Sequence, residues 1–232
     1  MKSTRARNAA QRPPRRWRTP PPLTRGPEPL EGMDILREVG GEAAVLLWQS
    51  YRNVMLWARA EPKERGKLFS PNAGRNRLAE LRDADVPREL VDPLVAVGRM
   101  LGSPETTPGE TVAEACRTIS EWGGDAGHRY TELAFMQAAA LAAGNSAALA
   151  YGVGLLAARQ ADFARAETWY RHGVMLGRQT GEWGAYVQSY VGLGKLAMHR
   201  GNYPVAYRMH IKALRAARRK GLTKLQGETM HD

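Results

Sequence analysis

Residues 150–170 read AYGVGLLAARQADFARAETWY, and residues 190–210 read YVGLGKLAMHRGNYPVAYRMH. Displaced by 40 residues, the two stretches superimpose. Gly152 falls on Gly192, Gly154 on Gly194, Ala157 on Ala197, Ala166 on Ala206 and, further on, Gly181 on Gly221. Neighbouring positions agree in kind: Val153 with Leu193, Leu156 with Leu196, Asp162 with Asn202, Phe163 with Tyr203. Each unit reads as a helix, a short Gly/Asp/Asn turn and a second helix. Small residues at fixed places let two helices approach closely, and the aromatic after the turn fills the gap between them.

These residues resemble the tetratricopeptide repeat. Its pattern reads here as Tyr190, Leu193-Gly194, Ala197, Ala206 and His210, and one unit earlier as Ala150, Val153-Gly154, Ala157, Ala166 and Tyr170. The packing positions of such an array would be Gly154, Ala157, Phe163, Ala166 and Tyr170, then Gly194, Ala197, Tyr203 and Ala206. Two departures are visible: His210 replaces an aromatic, and the period is 40 rather than 34. The six additional residues fall around 179–186 and 221–226, where they would lengthen helices or the turn between units. A degenerate unit over 107–146 places Ala126 and Tyr130 in register, with Glu114 where the glycine belongs. Units at 147–186 and 187–226 follow. Residues 227–232 match the start of another, Met230 standing for Tyr190, so the expectation is a fragment of a longer array.

The resemblance implies an all-α solenoid of helical hairpins that binds a peptide or partner helix on its concave face. The first helix of each unit would line that groove, with Tyr151, Leu155 and Arg159 from one and Gln188, Val191, Lys195 and His199 from the next. Lys195 with Arg159 can receive acidic side chains, and both read equally well as solvated cations. The Asn/Lys set with which some members clamp a C-terminal carboxylate is not recognisable.

Upstream, residues 33–105 form a helical head without a repeat. Over 42–60, Ala44, Leu47, Trp48, Tyr51, Met55 and Ala58 make one apolar stripe, which Pro62 ends. Ser70-Pro71-Asn72 is placed to cap a helix through Leu78 and Leu81. Pro87 opens another with Leu90, Leu94, Val97 and Leu101 on one face, and Pro93 predicts a kink or a restart. Trp48 and Trp57 read as core. The stretch 102–109, with Pro104 and Pro108, is the best internal boundary.

The net charge of +11 is unevenly distributed. Residues 1–26 hold eight basic residues and no acid, residues 185–227 hold nine and no acid, and residues 27–184 carry a net −4. Residues 1–32, with seven of the 14 prolines, read as a disordered, extended basic arm. It is either an inert tail or a ligand or nucleic-acid-binding segment, with Trp17 among the arginines. Toward the C-terminus, Arg208, Lys212, Arg215 and Arg219 recur at helical spacing as a basic stripe. Arm and stripe together support a second expectation, a nucleic-acid-associated regulator, against the first, a non-enzymatic interaction scaffold.

Little points to catalysis. The five histidines lack paired metal spacing, no phosphate-cradling loop or nucleophile elbow occurs, and Cys116 sits in a helical run as a small hydrophobe. No catalytic residue, metal or cofactor is expected. The lone Cys suits a reducing compartment, the first residues lack the apolar run of an export signal, and the expected location is cytoplasmic. The uncharged run from Leu133 to Ala158 is rich in Ala and broken by Gly144-Asn145-Ser146, which predicts two buried helices rather than a membrane span.

Overall fold

A computed structural model describes residues 32–223 and 225, and every regular element among them is helical. Residues 1–31 of the basic arm, residue 224 and residues 226–232 lie outside the described residues. The head contains α1 (Asp34–Val39), α2 (Gly41–Arg59), a 3-10 turn at Pro62–Lys67, α3 (Ala73–Asp83) and α4 (Arg88–Gly102). Three hairpins follow: α5 (Gly109–Asp125) with α6 (Arg129–Ala143), α7 (Ala147–Arg159) with α8 (Phe163–Thr180), and α9 (Trp183–His199) with α10 (Tyr203–Arg219). Each pair packs along its length and is joined by a three-residue turn, so its helices run antiparallel.

The three hairpin turns are closed by the same backbone bonds. The amides of His128, Asp162 and Asn202 donate to the carbonyls of Gly123, Ala157 and Ala197 at 2.7, 2.9 and 2.9 Å. The residue before each, Gly127, Ala161 or Gly201, has a left-handed φ of 80°, 59° or 70°. This is the bond pattern of a glycine-type helix C-cap. At the second and third turns the Asp162 and Asn202 side chains then accept from the amides of Arg165 and Val205, starting the next helix.

Aligned on these bonds, the second and third hairpins are 40 residues apart, as the sequence predicts, whereas the first and second are 34 apart. Ala126 and Tyr130 are therefore not the counterparts of Ala166 and Tyr170. Ala126 lies in a turn and Tyr130 in the first turn of α6. The true counterparts of Gly154 and Tyr170 are Ser120 and Met136. The additional residues lie where expected: α8 has 18 residues against 15 in α6, and α9 has 17 against 13 in α7.

Aromatic and small residues meet between helices. A Cβ added at Gly154 would lie 2.6 Å from the Tyr170 ring, and one at Gly192 would lie 2.5 Å from its other side. Gly194 likewise faces His210, which takes the place of Tyr170 one unit on. One hairpin earlier, Met136 faces Gly152 with its sulfur 3.2 Å from the added Cβ. Tyr203 departs from this pattern. Its counterpart Phe163 is half-buried against His199, whereas Tyr203 is 68% exposed.

One apolar cluster runs from Ile35 in the head to Leu196 in α9, so head and hairpins share a core across the 102–109 stretch. Trp57 is fully buried and its indole donates to the Pro104 carbonyl at 2.7 Å, while Trp48 is half-buried at the edge. Helix α4 runs through Pro93 without restarting. Asn72 occupies the cap position of α3 but makes no side-chain cap bond. The uncharged run is divided between α6 and α7 at Gly144, which has a φ of 72°.

Two carboxylates tie helix starts to distant elements. Glu38 of α1 accepts from the amides of Tyr130 and Thr131 at 2.7 and 2.8 Å and from the Thr131 hydroxyl at 2.9 Å. Glu182, at the start of α9, accepts from the amides of Ala147 and Ala148 at 2.9 and 3.1 Å and from the Thr180 hydroxyl at 2.9 Å. A helix N-terminus carries unpaired N–H groups and a positive dipole end, so an anion there satisfies both.

Candidate interaction surfaces

The residues expected to line a groove are distributed over α7 and α9, two helices that pack directly on each other. Tyr151 is half-buried with its ring 5.9 Å from that of Tyr170, and Leu155 and Gln188 are half-buried beside it in their helices. Lys195 is exposed. His199 is exposed as well, but its ring stacks on Phe163 at 5.1 Å. Val191 packs instead toward α10, against the cluster of Val187, Ala213, Ala216 and Ala217.

Arg159 faces a cavity of about 820 Å³ between the end of α5, the start of α6 and the end of α7. Opposite it are Glu121 and Asp125 of α5 and Glu132 of α6, with Arg129 at the rim. By the 34-residue register, Glu121 and Asp125 are the α5 counterparts of Leu155 and Arg159. Burial pushes the Glu132 carboxyl above its ordinary value and Asp125 adds to this, while Arg159 and Arg129 pull it back. Arg117, the counterpart of Tyr151, is held by Glu114 and Glu121 on its own helix. Arg159 thus lines a cavity together with acidic residues of α5 and α6 that the sequence reading does not single out. Their register is hidden in the sequence, because Ser120 rather than a glycine stands at the counterpart of Gly154.

The basic stripe is a continuous exposed face. Arg208, Lys212, Arg215 and Arg219 are all exposed on α10, opposite its buried Ala206, Ala213 and Ala217. Two aromatic features accompany it. Trp183, Tyr186 and Tyr190 form a ladder on α9 with ring spacings of 5.5 and 5.0 Å, and Lys220 and Lys212 lie over Trp183 and Tyr190 at 4.1 and 5.6 Å. On α10 itself, Tyr203 and Tyr207 are 68% and 69% exposed, one turn apart.

No protein-family model, curated protein or solved structure matches the chain.

Among the described residues no cluster of three His, Cys, Asp or Glu side chains is placed to hold a metal ion. Cys116 is fully buried, and burial pushes its thiol far above the ordinary range. His172 is buried against Trp169 with ring centroids 5.8 Å apart, and burial brings its pKa down to about 4. No helix among the described residues is long and apolar enough to cross a membrane.

Proposed function

We propose that the chain is a non-enzymatic interaction scaffold of tetratricopeptide-like hairpins, holding a peptide or partner helix on the side presented by α5, α7 and α9. The observation that carries this reading is the cavity between α5 and α7. It is open, it is charged on both walls, and Arg159 faces it from the position the repeat assigns to the groove. The recurring turn bonds at 34 and 40 residues and the repeated glycine contacts to Tyr170 and His210 support the repeat assignment. Charged walls orient a partner more than they hold it, so selectivity comes from pairing both signs at once.

The test is affinity capture by the full chain, with nuclease present, comparing the unaltered protein with Arg159→Glu. The identified partner is then titrated as a purified protein. The expected result is direct binding that falls at least tenfold in the variant. A partner bound equally by both proteins overturns the reading, as does binding that disappears with nuclease.

A further inference from the structure

Helix α10, with the sequence YPVAYRMHIKALRAARR, contains no acidic residue. Several arginines elsewhere are paired with carboxylates: Arg117 with Glu114 and Glu121, and Arg171 and Arg200 with Glu167. On α10, Arg208, Arg215 and Arg219 are exposed and no ion pair engages them among the described residues. Lys212 is engaged only with the Tyr190 ring. From Arg208 to Arg219 their positive field runs uncompensated along about 17 Å of the helix at 1.5 Å per residue.

At the N-terminal end of the same helix, about 100° round its axis from this row, stand Tyr203 and Tyr207. Large aromatic side chains are seldom this open, and these two are the most exposed hydrophobic side chains of the described residues. One turn separates them, and Arg208 adjoins Tyr207 directly in the chain. Unpaired cations on one face of a helix and open rings on the next face at its start match a polymer that carries both phosphates and flat apolar bases and can wrap the helix. An acidic protein would use the cations and leave the rings idle. A duplex would also meet the cations, but its bases are stacked inside and out of reach of the rings.

We infer that α10 binds single-stranded nucleic acid, with bases stacking on Tyr203 and Tyr207 and phosphates meeting Arg208, Lys212, Arg215 and Arg219. The site is separate from the α5–α7 cavity, so it stands or falls independently of the scaffold reading.

The full chain is titrated into a fluorescently labelled 20-nucleotide oligo-dT strand, and anisotropy is read at several salt concentrations. A 20-base-pair duplex and phosphatidylserine vesicles serve as competitors. Binding that weakens steeply with salt is expected, with the single strand preferred to both competitors. Tyr203→Ala with Tyr207→Ala should weaken binding about tenfold or more, and Tyr→Phe at both sites should restore it. Arg208→Gln with Arg215→Gln should flatten the log–log salt slope by about 1.4. All four positions are exposed, and circular dichroism checks that the variants stay folded. Affinity unchanged in the tyrosine variant overturns the proposal, and so does duplex or vesicle binding as tight as that of the strand. It is also overturned if deleting residues 1–31 abolishes all binding, or if sedimentation finds a second copy seated on the tyrosines.

Discussion

The ring of Tyr170 fills the space that a side chain at Gly192 would need: an added Cβ there would lie 2.5 Å from the phenol carbon. The same ring stands 2.6 Å from the Cβ position of Gly154, so one tyrosine from α8 wedges between α7 and α9. Replacing a helical glycine by alanine ordinarily stabilises a protein by up to about 1 kcal/mol. At Gly192 the sign should reverse, because overpacking a fixed ring costs about 1–3 kcal/mol. Denaturant unfolding of Gly192→Ala is the measurement. Gly184, whose added Cβ meets nothing within 4 Å, is the control in which alanine should not destabilise. The Gly192→Ala cost should shrink when Tyr170 is first cut to Ala.

Ala161 should be the easiest place to gain stability. It is the one described non-glycine residue with positive φ, at 59°, and glycine occupies both equivalent turn positions, Gly127 and Gly201. A Cβ in the left-handed region costs about 1–2 kcal/mol, partly offset by the greater chain entropy that glycine loses on folding. Ala161→Gly is therefore expected to raise the melting temperature by an amount worth about 0.5–1 kcal/mol. A drop would mean that the turn is not strained.

How much of this was legible without coordinates follows from which residues mark a register. The 40-residue repeat was readable because glycines stand at both crossings with Tyr170 and at the one with His210. The hairpin before it was misaligned by six residues, because Ser120 and Met136 replace glycine and tyrosine there and leave no contrast in size. Glu38 and Glu182 carry no local sequence signal of their role, since the helix starts they serve lie 92 and 35 residues away. By analogy with Phe163 the sequence predicts a packed Tyr203, whereas the ring is 68% exposed.

Glu38→Ala should cost about 2 kcal/mol. The change removes an anion that accepts two backbone amides and a hydroxyl at the start of α6, and bonds to a charged group contribute about 1.5–3 kcal/mol together with the dipole effect. Hydrogen exchange should show faster opening of the first turn of α6. Uniform exchange across the chain would argue against a local role.

His172 makes stability depend on pH. Its folded pKa of about 4 lies below the ordinary 6.5, so between those values the unfolded chain binds the additional proton. Stability is full above about pH 6.5, declines as the pH falls toward 4 and levels off below it. A shift of this size is worth about 3–4 kcal/mol at about 1.4 kcal/mol per unit. Urea midpoints measured at pH 7 and pH 4.5 should separate more for the native protein than for His172→Gln. Equal separation would remove His172 as the cause.

Cys116 should ignore thiol reagents until the protein unfolds. Its side chain is fully buried, and burial disfavours the thiolate that reacts. Its modification rate in rising denaturant should follow the unfolding curve, and rapid labelling in native buffer would contradict the packing of α5.

Glu182 has a mechanical consequence. Because it begins α9 while its carboxylate closes the first turn of α7 and takes the hydroxyl of Thr180 at the end of α8, three helices meet in one residue. Sliding α9 along α7 strips the amides of Ala147 and Ala148 from their acceptor, so the rise from the second hairpin to the third is locked. Pulled from its two ends, the chain should resist shear at this joint, and Glu182→Gln should soften it while leaving each hairpin intact.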